Sequence, residues 1–178
     1  MPPTQVFNKS GAIKTGQIIV LAMVGGILAF GAIVIVISGP AGKPLPPGAI
    51  VSLILAAFGL LMLGLRLILP GMVTGQACQR MVSQTDRTHA EEADPWPDDD
   101  PRLNSAFLTA TIIGSAVLEG GAFANLVAFL LEGQIYSLVV AGILLVGILW
   151  GLPTRSSFEN WETRQRRRIG DLRSMPRH

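Results

Sequence analysis

The chain has 178 residues, of which 49% are hydrophobic and only 15% are charged, and its formal net charge is +2. A typical soluble domain carries about 25% charged residues. This composition therefore excludes an ordinary soluble protein and indicates a small integral membrane protein. The length is that of one domain. A single cysteine, Cys78, excludes an intramolecular disulfide.

Four apolar blocks hold most of the hydrophobic residues, and nearly all of the charge lies between them. A helix needs roughly 20 apolar residues to cross a bilayer. The first block is longer than the about 7 to 15 apolar residues of a signal peptide, so we interpret it as a retained helix. We predict an all-α membrane domain over 1–153, with four transmembrane helices arranged as two hairpins, at 16–37, 48–69, 107–131 and 135–152.

The connections between these blocks differ in length and composition. Three prolines within 44–47 cannot continue a helix, and we expect Pro70 to end the second span for the same reason. Only 132–134 separates the third block from the fourth, which predicts a tight antiparallel hairpin. The longest connection, 75–104, is acidic and contains prolines. It is either a flexible linker or a docking strip for a basic partner, such as the protein's own tail.

The placement of lysine and arginine predicts the orientation. Basic residues lie in the first segment, in the 75–104 loop and in the tail, whereas the two remaining turns carry only Lys43. Segments rich in lysine and arginine stay in the cytoplasm. We therefore predict a multi-pass protein of the cell inner (cytoplasmic) membrane, with both termini and the long loop in the cytoplasm.

The basic tail, 154–178, has the pattern of an amphipathic helix. Ser156 followed by Glu159 fits a capping box, and apolar residues recur at helical spacing beside arginines. This pattern predicts a surface helix that binds anionic lipid of the inner leaflet. A nucleic-acid-binding tail is the alternative, but the positive-inside rule already accounts for the charge, and we expect no nucleic-acid partner. The residues assigned to the membrane surface are Phe158, Trp161, Arg164, Arg166, Arg167 and Arg168.

Glu119 is the candidate functional residue, because it lies near the middle of the third block. A charge in hydrocarbon costs roughly 2.5 kcal/mol or more, so it usually has a partner or a function. The candidate partners are Arg66 and Asn125. The carboxylate either holds helices together through a hydrogen bond or ion pair, or it binds a proton or an ion. Small residues near it predict close helix packing, namely Gly114, Ser115, Gly120, Gly121 and Ala122.

A family resemblance supports the second of these roles. The third block resembles the second helix of the c-type proteolipid subunit of rotary ATPases. In that family a proline ends the cytoplasmic polar loop, and a glycine and then the proton-carrying carboxylate follow at about this spacing. The resemblance implies that Glu119 is a proton- or ion-binding carboxylate. It is confined to the third block and is carried by Pro101-Arg102-Leu103-Asn104, Leu108-Thr109, Ile112-Ile113-Gly114, Ala116, Glu119, Ala122 and Leu126-Val127.

The sequence contains no recognisable catalytic constellation. We see no nucleophile–base pair, no phosphate-binding glycine loop and no set of metal ligands, so we expect no enzyme activity, no cofactor and no metal. We predict an accessory, scaffold or assembly subunit, whose partners are other membrane subunits or a second copy of the chain. The alternative is a proton- or cation-linked transport component that uses Glu119. A membrane-surface regulator that works through the tail and the acidic loop is a third interpretation.

Overall fold

The computed structural model describes residues 9–39, 50–88 and 101–174 of the chain, and these are almost entirely helical. The predicted all-α class is confirmed for this part of the chain, which contains no strand. The proline-rich turn at 44–47 and the central part of the acidic loop, 89–100, lie outside the described residues. The helices are α1 (Lys9–Ser38), α2 (Ile50–Thr88), α3 (Pro101–Glu132), α4 (Ile135–Trp150) and α5 (Arg155–Ser174).

Three to four helices are long and apolar enough to cross a membrane. Three qualify alone: Ser10–Ser38, Ile50–Leu69 and Leu103–Glu132. The fourth helix, α4, has 16 residues, and at 1.5 Å per residue it is about 24 Å long, less than a hydrocarbon core of about 30 Å. It qualifies only together with α5, from which it is bent by 73°.

The central helix of the fold is α3, because α1, α2 and α4 each pack along it. Helix α1 runs parallel to α3, with Gly16 beside Leu108 at one end and Gly31 beside Leu126 at the other. In the described residues α1 and α2 make no extensive contact with each other, so the packing does not show the predicted hairpin between them. The α3–α4 turn is tight, as predicted, and Gly133 adopts a φ of 69° that favours glycine.

The second helix is longer than expected. We predicted that Pro70 ends it, but α2 continues through Pro70 to Thr88. That prediction is wrong for the helix, although the apolar segment does end at Leu69. A proline removes one backbone hydrogen bond and distorts the turn before it, and the following residues retain enough helical bonds to continue. The acidic loop is correspondingly shorter than 75–104, because helices extend into both of its ends.

The last helix begins earlier than the predicted capping box. We expected Ser156 to be the N-cap residue, but Thr154 has this role, since its Oγ1 accepts a hydrogen bond from the backbone N–H of Ser157 at 3.2 Å. Glu159, the expected second half of the box, instead forms an ion pair with Arg155 at 3.0 Å. The predicted helical tail is confirmed, but its cap is supplied by a residue two positions earlier.

Polar contacts at two places on α3, Asn125 and Glu132, help to fasten α2 to it. The Nδ2 of Asn125 donates to the backbone oxygen of Leu55 at 2.9 Å, and also to that of Gly121 in its own helix at 2.9 Å. Near the other end of α3, the carboxylate of Glu132 accepts hydrogen bonds from the backbone N–H groups of Val51 at 3.2 Å and Ser52 at 2.8 Å. It satisfies N–H groups that the first turn of α2 leaves without helical partners.

Gly59 permits the contact at Asn125, and its substitution is a direct test of the packing. A Cβ atom at this position would lie 2.6 Å from Nδ2 of Asn125 and 2.9 Å from Cγ1 of Val140. We expect Gly59→Ala to destabilise the fold by about 1–3 kcal/mol, because the added methyl group overpacks the junction. The measurement is thermal or chemical unfolding of the purified protein in detergent.

The matched control is Gly64→Ala on the same helix, where a Cβ would meet nothing within 4 Å. We expect this change to be neutral or slightly stabilising, because alanine is the better helix former. Equal unfolding midpoints for the two variants would contradict the described packing of α2 against α3.

Candidate functional site on the central helix

The candidate carboxylate, Glu119, is half-buried on α3. Along the helix it lies between Leu108 and Leu126, whose side chains contact Gly16 and Gly31 of α1. One helical turn further along α3, Phe123 lies against Phe30 of α1, with ring centroids 5.4 Å apart. The carboxylate is therefore midway along α3, as predicted.

Glu119 makes no hydrogen bond or ion pair with the described residues. The two candidate partners are directed elsewhere. Asn125 bonds to α2 through Leu55 and to Gly121. Arg66 donates from Nη1 to the backbone oxygen of Gly114 at 3.3 Å. The structure thus brings Arg66 of α2 against α3, and Asn125 lies on α3 itself, but neither side chain reaches the carboxylate.

The predicted packing residues divide between two faces of α3. Gly121 is buried, and a Cβ there would lie 3.2 Å from Leu144 and 3.4 Å from Met62, so glycine allows α2 and α4 to approach closely. Gly114, Ser115 and Ala122 are also buried. Gly120 differs from them, because it is exposed and nothing lies within 4 Å of a Cβ built there.

Gly120 belongs to an exposed strip of small residues. Ala116, one turn earlier on the same face, is also exposed, and Ala124, one turn later, is half-buried. We call these three residues the open face of α3. Glu119 is adjacent to it in the chain. Small residues four apart are the spacing at which two membrane helices approach most closely, so this face is able to receive another helix.

The aromatic residues of the tail lie against protein. Phe158 is only 1% exposed. Its ring contacts Phe107 of α3 at 4.9 Å between centroids, and Trp161 contacts the same ring at 5.4 Å. Trp161 also packs against Leu103 and Ala106. The aromatic part of the predicted membrane-surface stripe is therefore docked on α3, a partner that the tail sequence alone does not reveal.

The predicted basic residues of the tail differ in their environment. Arg166 forms an ion pair with Glu162 at 2.8 Å. Arg164 and Arg167 are exposed. The side chain of Arg168 lies outside the described part of the chain. Arg155 and Arg166 are paired with glutamates, so Arg164 and Arg167 are the exposed arginines without an ion pair among the described side chains of α5.

Glu132 is a structural carboxylate that sequence reasoning missed. In the sequence it is the first residue of a three-residue turn, and its only signal is that it ends an apolar helix next to a glycine. Its bonding partners at Val51 and Ser52 are some 80 positions away in the chain. The described residues contain no cluster of three or more histidine, cysteine or acidic side chains that could hold a metal ion.

The chain matches no protein-family model, and the comparisons with curated proteins and with solved structures also found no match.

Proposed function

We propose that the chain is a multi-pass protein of the cytoplasmic membrane, with both termini and the acidic loop in the cytoplasm. Three to four helices have the necessary length and apolar character. Their outer surfaces carry large apolar side chains, such as Val36 at 84%, Leu67 at 82% and Trp150 at 90% exposure. An apolar surface this extensive is a liability in water and is the surface that lipid solvates. The placement of lysine and arginine supports the orientation.

We propose further that it acts as an accessory, scaffold or assembly subunit. The observation that carries this proposal is the open face of α3 beside the unpartnered Glu119. A carboxylate at mid-bilayer depth needs a polar partner, and the described residues do not supply one. A second transmembrane helix seated on Ala116 and Gly120 would supply it and would cover the open face. This helix belongs either to another copy of the chain or to a different membrane subunit.

A proton- or cation-linked transport component is the second candidate. The observation that favours it is the same unpartnered carboxylate, since a half-buried group without a fixed partner is free to bind and release a proton or a cation. The resemblance of the third block to the proton-carrying helix of rotary ATPases points the same way. The two candidates differ in whether substitution of Glu119 changes association or ion flux.

The tail has a supporting role in this proposal. The 73° bend between α4 and α5 directs α5 away from the direction of α4. A helix in this position lies along the membrane surface. Its exposed arginines, Arg164 and Arg167, would then attract anionic lipid of the inner leaflet, at about 1 kcal/mol for each charge near the surface.

The proposed topology is tested with the single cysteine. Cys78 lies beyond the apolar segment of α2, on the side proposed to be cytoplasmic. A membrane-impermeant maleimide added to intact cells should label Cys78 only after the membrane is permeabilised. The control is a Cys78→Ser, Lys43→Cys chain, which should be labelled from outside. Labelling of Cys78 in intact cells would contradict the topology.

The role of the open face is tested by adding bulk to it. Gly120→Leu should reduce recovery of partners, or of a differently tagged second copy, by about tenfold in mild detergent, because the side chain holds the neighbouring helix away. Gly64→Leu is the matched control, because Gly64 is an exposed glycine with open space on another helix. Both variants should keep the helical content of the parent. If they behave alike, the open face is not an interface.

The transport candidate is tested at Glu119. In vesicles containing the purified protein, Glu119→Gln should abolish proton or cation flux and leave the unfolding midpoint nearly unchanged. Dicyclohexylcarbodiimide, which modifies carboxyl groups in apolar surroundings, should label the parent protein and block flux. Glu162→Gln is the control, because this carboxylate lies on α5. Parent vesicles that carry no flux above empty ones would remove the transport candidate and leave the assembly proposal standing.

A further inference from the structure

A cavity lies at Arg66, one of the two residues considered as a partner of Glu119. This cavity of about 140 Å³ opens where α2 and α3 meet the junction of α4 and α5. Its lining includes the side chain of Arg66, the rings of Phe107 and Trp161, and the glycines Gly114 and Gly151. This volume is well above the about 15 Å³ that one ordered water requires, so the cavity has room for a polar group of several atoms.

Arg66 enters this cavity as a cation that has no anionic partner among the described residues. Its one hydrogen bond to the described residues is the 3.3 Å bond from Nη1 to the backbone oxygen of Gly114. A guanidinium carries five N–H donors, so most of them have no protein acceptor in this part of the chain. A partly buried charge is costly unless it is paired and hydrogen-bonded. The described part of the chain therefore does not supply the acceptor that would complete the cavity.

The surrounding residues hold the guanidinium in this position. The Nη2 atom of Arg66 occupies the space that a Cβ atom of residue 151 would need, so only glycine is accommodated there. Phe107 and Trp161, which also line the cavity, pack edge to face with ring centroids 5.4 Å apart. The absence of a side chain at Gly151 and the docking of α5 on α3 together place the charge at the cavity.

The position of the cavity along α2 indicates which part of a lipid molecule would reach it. Arg66 lies three residues before Leu69, the end of the apolar segment of α2, and thus about 4.5 Å from that end. On the proposed membrane insertion, on which this step rests, the cavity is at the boundary between headgroups and acyl chains of the inner leaflet. Leu67 and Ile68, which follow Arg66, are 82% and 59% exposed, so acyl chains would lie beside the cavity.

We propose that this cavity binds the phosphate group of an anionic phospholipid of the inner leaflet. The planar guanidinium of Arg66 presents paired donors that match two phosphate oxygens. The hydrogen bond to the backbone of Gly114 and the space left by the missing side chain of Gly151 fix its orientation, and the exposed apolar residues of α2 receive the acyl chains. Arg164 and Arg167 of α5 raise the local concentration of anionic lipid without forming the site.

The test uses the full chain in nanodiscs of phosphatidylcholine with a fraction of phosphatidylglycerol. After transfer to detergent, native mass spectrometry counts the lipids that stay bound. The parent protein should retain phosphatidylglycerol in preference to phosphatidylcholine. Arg66→Gln should weaken this retention by at least about tenfold, the effect of losing charge-assisted hydrogen bonds. Arg155→Gln, which removes an equal charge from an exposed position of α5, should retain the lipid as the parent does.

Further measurements distinguish this site from a folding defect, from general attraction of anionic lipid and from binding of free phosphate. If Arg66→Gln does not fold, Arg66→Lys keeps the charge without the paired donors and should still lose most of the preference. Equal losses in the Arg66 and Arg155 variants would overturn the site in favour of general attraction. Stabilisation of the parent by inorganic phosphate alone, to the extent seen with phosphatidylglycerol, would overturn the lipid as the source. A parent without lipid preference refutes this site, whereas a chain that never enters nanodiscs refutes the proposed insertion.

Discussion

The hydrogen bond from the side chain of Asn125 to the backbone of Leu55 sets the rotation of the central helix, on which the rest of the structure depends. Asn125 is fully buried and the bond is partly buried, and a hydrogen bond in low-dielectric surroundings is stronger than one in water. It requires close approach, which Gly59 on α2 and Gly121 on α3 allow. Once Asn125 faces α2, the direction of every other side chain of α3 is fixed by the helical period.

This rotation explains why the charge pair considered from the sequence does not form. Successive residues of an α-helix turn by about 100°, so Glu119, two residues before Gly121, points about 160° away from it. Gly121 faces α2, and Arg66 reaches α3 on that same side, at Gly114. The helices that carry the two charges are neighbours, but two groups on opposite sides of one helix do not meet. The helical period alone contained this information once the side of α3 that faces α2 was known.

The sequence predicts the helices well and their ends and partners less well, for identifiable physical reasons. Apolar blocks determine where helices form, because backbone groups in an apolar environment must be satisfied within the helix. The predicted end of α2 was wrong because Pro70 removes only one backbone hydrogen bond. The helix continues past it, since the neighbouring turns keep their own hydrogen bonds. Glu132 acts through a contact with a distant segment of the backbone, whereas Thr154 acts locally, since it caps its own helix at Ser157. The tail illustrates the same limit, since its apolar stripe fits a lipid surface as well as it fits Phe107.

Arg66 and Glu119, which lie on opposite sides of α3, need different partners, because they lie at different distances from the ends of the apolar segments. Arg66 is close to the end of its apolar segment. On the proposed insertion, its long cationic side chain would reach the headgroups at little cost, and lipid itself would neutralise it. On the same insertion Glu119, midway along α3, would be too deep for a headgroup to reach, so only a proton, an ion or another protein helix would satisfy it. Because Gly120 beside it leaves room for a helix backbone, the protein environment that would complete Glu119 is most simply another membrane helix.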